Sequence, residues 1–335
     1  MTPRFETSFC RLLGIEVPIV QAPIGGITTP ALAAAVSEAG GLGALSITWR
    51  EPETLRAVLR ETRALTEKPF AVNLVLDWDP AERLAIALEE GVKIVSFFWG
   101  DPSPWVETVH QAGGIVLHTV ASAVEARRAA DAGVDVVVAQ GWEAGGHVWG
   151  QVSTLALVPR VADAVAPLPV VAAGGIVDGR GLAAVLALGA GAAWMGTRFL
   201  LAAEAATHPV YREAIVAATE TDTAYSELFD GGWPQAPLRA LRNTTWRAWH
   251  DAGEPPPGSR PGEGEIVASG EDGRDILRYD SDAPVTGASG DVAAMVLYAG
   301  QGVGLAQRIQ PAAEIVREVL AEAVAAIDGV VSRKS

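Results

Sequence analysis

Residues 168–199 read LPVVAAGGIVDGRGLAAVLALGAGAAWMGTRF. Two short apolar runs, Val170–Ala173 and Ala192–Met195, flank an Ala- and Leu-rich segment of helical length. Apolar runs joined by a helix in this way are typical of parallel strands in a βαβ unit. A glycine turn follows each run, Gly174-Gly175 after the first and Gly196-Thr197 after the second, where parallel sheets place their ligand sites.

The same alternation of apolar runs and helical segments extends from residue 18 to about residue 200. Eight such units predict a closed (β/α)8 barrel, a TIM barrel, and an open doubly wound sheet is the lesser alternative. The predicted strands are 19–22, 43–46, 70–74, 94–98, 114–118, 134–139, 170–173 and 192–195.

The pattern ends near residue 218, which divides the chain into three predicted parts. Residues 1–218 form the barrel, and residues 219–290 are rich in Pro, Gly, Asp and Trp, which predicts an irregular insertion that could act as a lid. Residues 291–335 return to helical spacing and are expected to pack back on the barrel. The C-terminal inserted subdomain is therefore predicted to be mostly helical.

Composition excludes several classes of function. A single cysteine, Cys10, rules out an intrachain disulfide and a thiolate metal cluster, and no His pair has metal-ligand spacing, so we expect no metal. A net charge of −15 without a basic cluster opposes binding to nucleic acid. We find no signal peptide or membrane span, so we expect a cytoplasmic enzyme. Its partner is expected to be a small-molecule substrate, and the sequence leaves open whether the protein forms a homo-oligomer.

The most informative segment is 139–150, AQGWEAGGHVWG, directly after the sixth predicted strand. His147 lies between glycines there, which favours contact with a ligand over packing in the core. Imidazole has a reference pKa of about 6.5, so it can take a proton from a carbon acid at neutral pH. His147 is therefore the candidate catalytic base.

Two amides and two glycine turns indicate a flavin nucleotide. Asn73 and Gln140 leave the third and sixth strands with groups that both donate and accept, as the edge of a flavin ring requires. The turns at Gly174-Gly175 and Gly196-Thr197 suit a phosphate after strands seven and eight. Each of these signals alone has an alternative interpretation. The glycines could simply form tight turns, and the amides could cap a turn or bond within the protein.

With these residues in place, the chain resembles the nitronate monooxygenase family, formerly called 2-nitropropane dioxygenases. The resemblance extends over nearly the whole length and is strongest at 21–23 (QAP), 73–74 (NL), 140–147 (QGWEAGGH), 172–176 (AAGGI), 195–199 (MGTRF) and 298–302 (YAGQG). It implies FMN as cofactor, O2 and a nitronate or nitroalkane as substrates, and a carbonyl compound and nitrite as products. It also implies that His147 is the catalytic base and that FMN is held by Ala22, Asn73, Gln140, Gly145, Gly174, Gly175, Gly196, Thr197 and Gln301.

Two positions depart from the family pattern, and both bear on the shape of the substrate pocket. Trp194 precedes Met-Gly-Thr where several members carry Gln, and Trp149 follows the histidine where a basic or small residue is common. The resemblance leaves two alternatives open: an FMN-dependent NAD(P)H enoyl-thioester reductase, which shares the barrel, and a barrel that binds a phosphorylated ligand without redox chemistry.

Overall fold

The computed structural model describes residues 5–332 and confirms the predicted barrel. Eight parallel strands pair in one sheet, and a parallel bridge between Val20 and Leu42 joins its two end strands. In chain order the strands are β1 (Ile19–Gln21), β2 (Gly43–Ser46), β3 (Phe70–Val75), β4 (Ile94–Phe98), β5 (Ile115–Val120), β6 (Val136–Gln140), β7 (Gly146–His147), β8 (Val170–Ala173), β9 (Ala192–Met195), β10 (Thr223–Ser226), β11 (Leu238–Leu241), β12 (Ile266–Ser269), β13 (Asp275–Leu277) and β14 (Ser289–Gly290). The barrel order is β1-β9-β8-β6-β5-β4-β3-β2.

Most helices of the structure cover the outside of the barrel, and one belongs to the insertion. In chain order they are α1 (Ser8–Leu13), α2 (Pro30–Glu38), α3 (Pro52–Leu65), α4 (Ala81–Glu89), α5 (Ser103–Gln111), α6 (Ala123–Asp131), α7 (Thr154–Val165), α8 (Gly179–Ala187), α9 (Pro209–Ala217), α10 (Thr244–Asp251) and α11 (Ala312–Val331). The strands between them are buried on both faces, because one face meets these helices and the other fills the barrel. A barrel of this kind collects the carboxyl ends of its strands at one opening.

The segment 219–290 contains more regular structure than its composition indicates. It holds α10 and five short strands, and β11 pairs with both β10 and β7, so the insertion is hydrogen-bonded to the segment that carries His147. These strands are two to four residues long, too short to produce a periodic pattern in the sequence. The helical part of the predicted subdomain is confined to α10 and α11.

The last helix, α11, packs against α8 and α2 and completes the outer ring of the barrel. Its buried face includes Ile315, Val319 and Leu320, in agreement with the expectation that this segment returns to the barrel. Between residues 291 and 300 the structure has only a 3-10 turn at Val292–Ala294.

Within residues 5–332, no helix combines the length and the apolar character needed to cross a membrane. In the same part of the chain, His, Cys, Asp and Glu side chains form no group of three or more that could hold a metal ion.

Candidate active site

A cavity of about 1060 Å³ lies at the carboxyl ends of the barrel strands, with residues of the insertion on its far side. Ligand pockets usually measure about 300–1,000 Å³, so it has room for a nucleotide-sized cofactor and a substrate. Nine of the predicted site residues line it: Ala22, Asn73, Gln140, Gly145, His147, Gly174, Gly175, Gly196 and Thr197.

Gln301 lies elsewhere. It lines a second hollow of about 390 Å³, together with Trp142 and Tyr225, while its neighbours Gly300 and Gly302 line the large cavity. Gln301 N donates to Glu143 O at 2.9 Å, which joins this position to the 141–147 loop. A contact between Gln301 and a cofactor stays a prediction.

His147 belongs to β7, and a polar group lies near each nitrogen of its ring. Nδ1 lies 3.3 Å from Ala236 O, and Nε2 lies 3.4 Å from the hydroxyl of Tyr298. A carbonyl oxygen can only accept, so we assign the proton of the neutral ring to Nδ1. The hydroxyl of Tyr298 donates to Ser281 O at 2.7 Å, which leaves Nε2 as an unprotonated acceptor at the cavity.

The surroundings keep His147 neutral. Burial lowers the pKa of its ring from 6.5 to about 4, because desolvation disfavours the imidazolium, and the carbonyls of Ala236 and Pro237 offset only part of this effect. Negative charge that develops next to Nε2 would raise this pKa again. The neutral ring can therefore accept a proton when a negative charge forms beside Nε2.

Two polar side chains that line the cavity, Gln140 and Thr197, keep hydrogen-bonding capacity that the protein does not use. Gln140 Nε2 donates to His147 O at 3.2 Å, but its Oε1 is buried and has no partner among the described residues. Thr197 Oγ1 accepts from Gly300 N at 3.0 Å, so its own proton stays free to donate. Buried polar atoms without a partner, such as Gln140 Oε1, are rare in native proteins. A flavin nucleotide would supply a donor for this atom and an acceptor for the Thr197 hydroxyl.

The glycines of the site differ in what a side chain at each position would contact. A Cβ on Gly145 would lie 2.4 Å from Gly300 N, and one on Gly174 would lie 2.8 Å from Gly141 O. These two glycines allow loops of the protein to approach each other. At Gly196 the nearest atom is the Cβ of Ala22 at 3.6 Å, so a larger side chain there would enter the cavity instead. The residues present therefore fit a flavin phosphate beside Gly196 and Thr197.

Two charged side chains that sequence reasoning left without a role hold the 141–147 loop. The carboxylate of Glu143 accepts from Thr154 N at 2.8 Å and from Thr154 Oγ1 at 3.0 Å, at the first residue of α7. Arg239, on β11, donates from Nε and Nη2 to Trp142 O and lies over the Trp142 ring. Only the fold brings Arg239 to this loop, whereas Glu143 belongs to the segment already singled out by its sequence.

Aromatic rings cover the cavity beside His147. The ring of Trp233 lies 4.2 Å from that of His147, and its Nε1 donates to Asp77 Oδ2 at 2.6 Å. Trp233 lines the large cavity, whereas Trp142 lines the smaller hollow. We call the connected set of rings the aromatic wall; it comprises Trp49, Trp78, Phe98, Trp99, Trp149 and Trp233.

The chain is similar to known proteins over most of its length. The family model for nitronate monooxygenase matches residues 6–322. A nitronate monooxygenase of Pseudomonas aeruginosa is 38% identical, and the match covers 96% of this chain and 99% of that protein.

Two solved structures are similar over almost the whole chain. FabK from Thermotoga maritima has a TM-score of 0.81 at 33% identity, covering 98% of this chain and 99% of its own. A nitroalkane oxidase from Streptomyces ansochromogenes has a TM-score of 0.77 at 31% identity, covering 96% of this chain and 99% of its own. The protein is thus an oxidoreductase of a flavin-dependent group. By the match of its sequence to the family model and to this relative, the chain belongs to the nitronate monooxygenase family.

Proposed function

We propose that the protein binds FMN and uses O2 to oxidise alkyl nitronates, and nitroalkanes after deprotonation, to a carbonyl compound and nitrite. The observation that carries the proposal is the position of His147 at the cavity, with Nδ1 3.3 Å from the carbonyl oxygen of Ala236, so that Nε2 is the nitrogen left to accept a proton. A nitroalkane is a carbon acid, and its conversion to the nitronate requires a base at this point.

FMN, when bound, supplies the electron-accepting chemistry for the nitronate and the route to O2. Gln140 Oε1 and Asn73 would contact the ring edge, while Thr197 and the turn at Gly196 would hold the phosphate. These residues would hold the cofactor at the strand ends, in the same cavity as His147.

His147 moves the proton. Nε2 takes the α-proton of the nitroalkane, and the imidazolium that forms donates from Nδ1 to Ala236 O and from Nε2 to a nitro oxygen. The negative charge of the nitronate stabilises this imidazolium in a site that otherwise disfavours it. Tyr298 keeps its own proton on Ser281 O and limits the rotation of the ring.

The test is substitution of His147 by asparagine, assayed by oxygen consumption and nitrite release with nitroethane and with preformed ethyl nitronate. We expect turnover of nitroethane to fall by about 10²–10⁴, the usual contribution of a general base, while turnover of ethyl nitronate is largely kept. Equal losses on both substrates would argue against the role as a base.

His118 provides a matched control. It is a second buried histidine whose pKa burial lowers to about 4, but it does not line the cavity. His118→Asn should keep the ratio of nitroethane to nitronate turnover, with circular dichroism as a check on folding.

An anaerobic visible spectrum before and after addition of nitronate separates the proposed function from its two alternatives. Flavin bands that bleach with nitronate support the proposal. Bands that ignore nitronate but bleach with NADH, with NADH oxidation driven by an enoyl thioester, would assign the reductase activity instead. A colourless protein that FMN cannot reconstitute would assign the non-redox barrel.

A further inference from the structure

The aromatic wall is larger than a small nitroalkane requires. Trp49, Trp78, Phe98 and Trp233 line the cavity directly, and edge-to-face contacts of 4.8 to 6.5 Å connect the three indoles. Trp49 is 49% exposed although it is large and apolar, so the wall continues to the opening of the cavity. Exposed aromatic surface beside a cavity usually marks a binding site.

Trp99 supports the wall from behind at a cost in backbone strain. Its φ is +65°, a left-handed conformation that bulky residues rarely adopt. This conformation places the indole between Trp149 and Trp233, with ring centroids at 4.7 and 5.0 Å. Strained residues that persist in a structure cluster at ligand sites, where the surrounding packing holds them.

The charged side chains that line the cavity disfavour anions. Among its lining residues, the charged side chains are Glu271, Asp272, Asp282 and Arg274. Arg274 is paired with Asp282 at 2.9 Å, whereas Glu271 and Asp272 are exposed and make no ion pair among the described residues. With the net charge of −15, these carboxylates slow the approach of a negatively charged substrate.

We propose that the substrate is an uncharged nitro compound that carries an aromatic group, which binds against the aromatic wall while the nitro-bearing carbon faces His147. This inference rests on the proposed function and narrows its substrate class. The contact between the rings of Trp233 and His147 places the binding surface next to the base.

The test compares three nitro compounds on the flavin-loaded enzyme: 2-phenylnitroethane, nitroethane and 3-nitropropanoate. We expect kcat/KM for 2-phenylnitroethane to exceed that for nitroethane at least about tenfold, because burial of the ring is favourable. We expect 3-nitropropanoate to be the poorest substrate, with a kcat/KM that rises as added salt screens the carboxylates.

Two variants test which side chains cause these substrate preferences. Trp49→Ala should reduce the ratio of kcat/KM for 2-phenylnitroethane over nitroethane. The double variant Glu271→Gln/Asp272→Asn should raise kcat/KM for 3-nitropropanoate relative to 2-phenylnitroethane. The matched control is Glu67→Gln/Asp131→Asn, which removes the same charge from two exposed carboxylates that precede β3 and β6, at the opposite end of the barrel.

Calorimetric binding of the same compounds separates this inference from the proposed function. Binding of 2-phenylnitroethane without turnover of it or of any nitronate would refute the proposed function and leave the ligand class supported. Turnover of nitroethane or 3-nitropropanoate as efficient as that of 2-phenylnitroethane would overturn the inference, and so would the absence of binding by 2-phenylnitroethane.

Discussion

The two sides of the cavity are built from different parts of the chain. The cofactor side consists of amides and glycine turns at the ends of β3, β6, β8 and β9. The aromatic wall combines residues that follow β2, β3 and β4 with Trp149 and, from the insertion, Trp233. The location of each residue on the cofactor side is determined by the strand that it ends or follows. The aromatic wall forms only when segments that are distant in the sequence come together in the fold.

The two sides of the cavity also differ in how they contribute to the stability of the protein. The cofactor side contains a buried polar atom without a partner among the described residues, Gln140 Oε1, so it gains from a ligand. The aromatic wall is already packed against itself and against His147, so it contributes to the stability of the protein without a ligand. Substitutions on the two sides should therefore differ in what they change.

The largest expected effect is on the aromatic wall. Trp233 is 5% exposed, and Trp233→Ala should lower the free energy of unfolding by about 3–5 kcal/mol, since it leaves a cavity. It should also raise the pKa of His147 from about 4 towards 6.5, because water then reaches the ring. Urea denaturation and NMR titration of the histidines measure both effects.

Trp49→Ala is the control for Trp233→Ala. It removes an indole of the same wall that is 49% exposed, so the loss of stability should be much smaller. Equal losses for the two variants would mean that the wall is not organised around Trp233.

A second prediction concerns acid stability. Burial lowers the pKa of His118 from 6.5 to about 4, so between these values the unfolded chain binds a proton that the folded chain does not. Stability is therefore fully present above the unfolded pKa and decreases as the pH falls towards the folded pKa, by about 3 kcal/mol for a shift of this size.

Urea denaturation across this pH window measures the effect. His118→Gln should reduce the slope of stability against pH by up to one proton, about 1.4 kcal/mol per pH unit. Only the contribution of His147, which faces the cavity, should change when flavin is bound, and a slope unaffected by His118→Gln would contradict the assigned pKa shift.

The smallest effect is expected on the cofactor side. Thr197→Val removes the free hydroxyl proton, and the affinity for FMN should fall about tenfold or more, the range for a hydrogen bond to a charged group. Fluorescence titration of the flavin-free protein with FMN measures this change. Thr197→Ser keeps the hydroxyl and should bind FMN nearly as well as the unchanged protein; a weak Ser variant would assign the effect to the lost methyl group.

Sequence reasoning reached the barrel and the cofactor side because both follow local rules. Each barrel strand is an apolar run, and polar residues after it must lie at the opening. The structure places Asn73, Gln140 and His147 together at the cavity as predicted. Their contacts with a cofactor stay predictions.

The aromatic wall and the insertion could not be predicted to the same extent. Trp49 and Trp78 carry no local sign of a site, because a tryptophan in a loop usually just packs. β11 escaped notice because all four of its residues are buried, including Arg239, so it shows no alternation of polar and apolar residues. Its partners on β7 and β10 are set by tertiary structure alone.

The position of α11 has a consequence for biosynthesis. This helix closes the outer ring between α8 and α2, yet it follows the whole 219–290 segment in the chain. On the ribosome, the apolar groove that receives Ile315, Val319 and Leu320 thus stays exposed to solvent until α11 has emerged. During this time a chaperone can bind the groove or the nascent chain can aggregate through it. The length of the insertion determines how long the groove stays exposed.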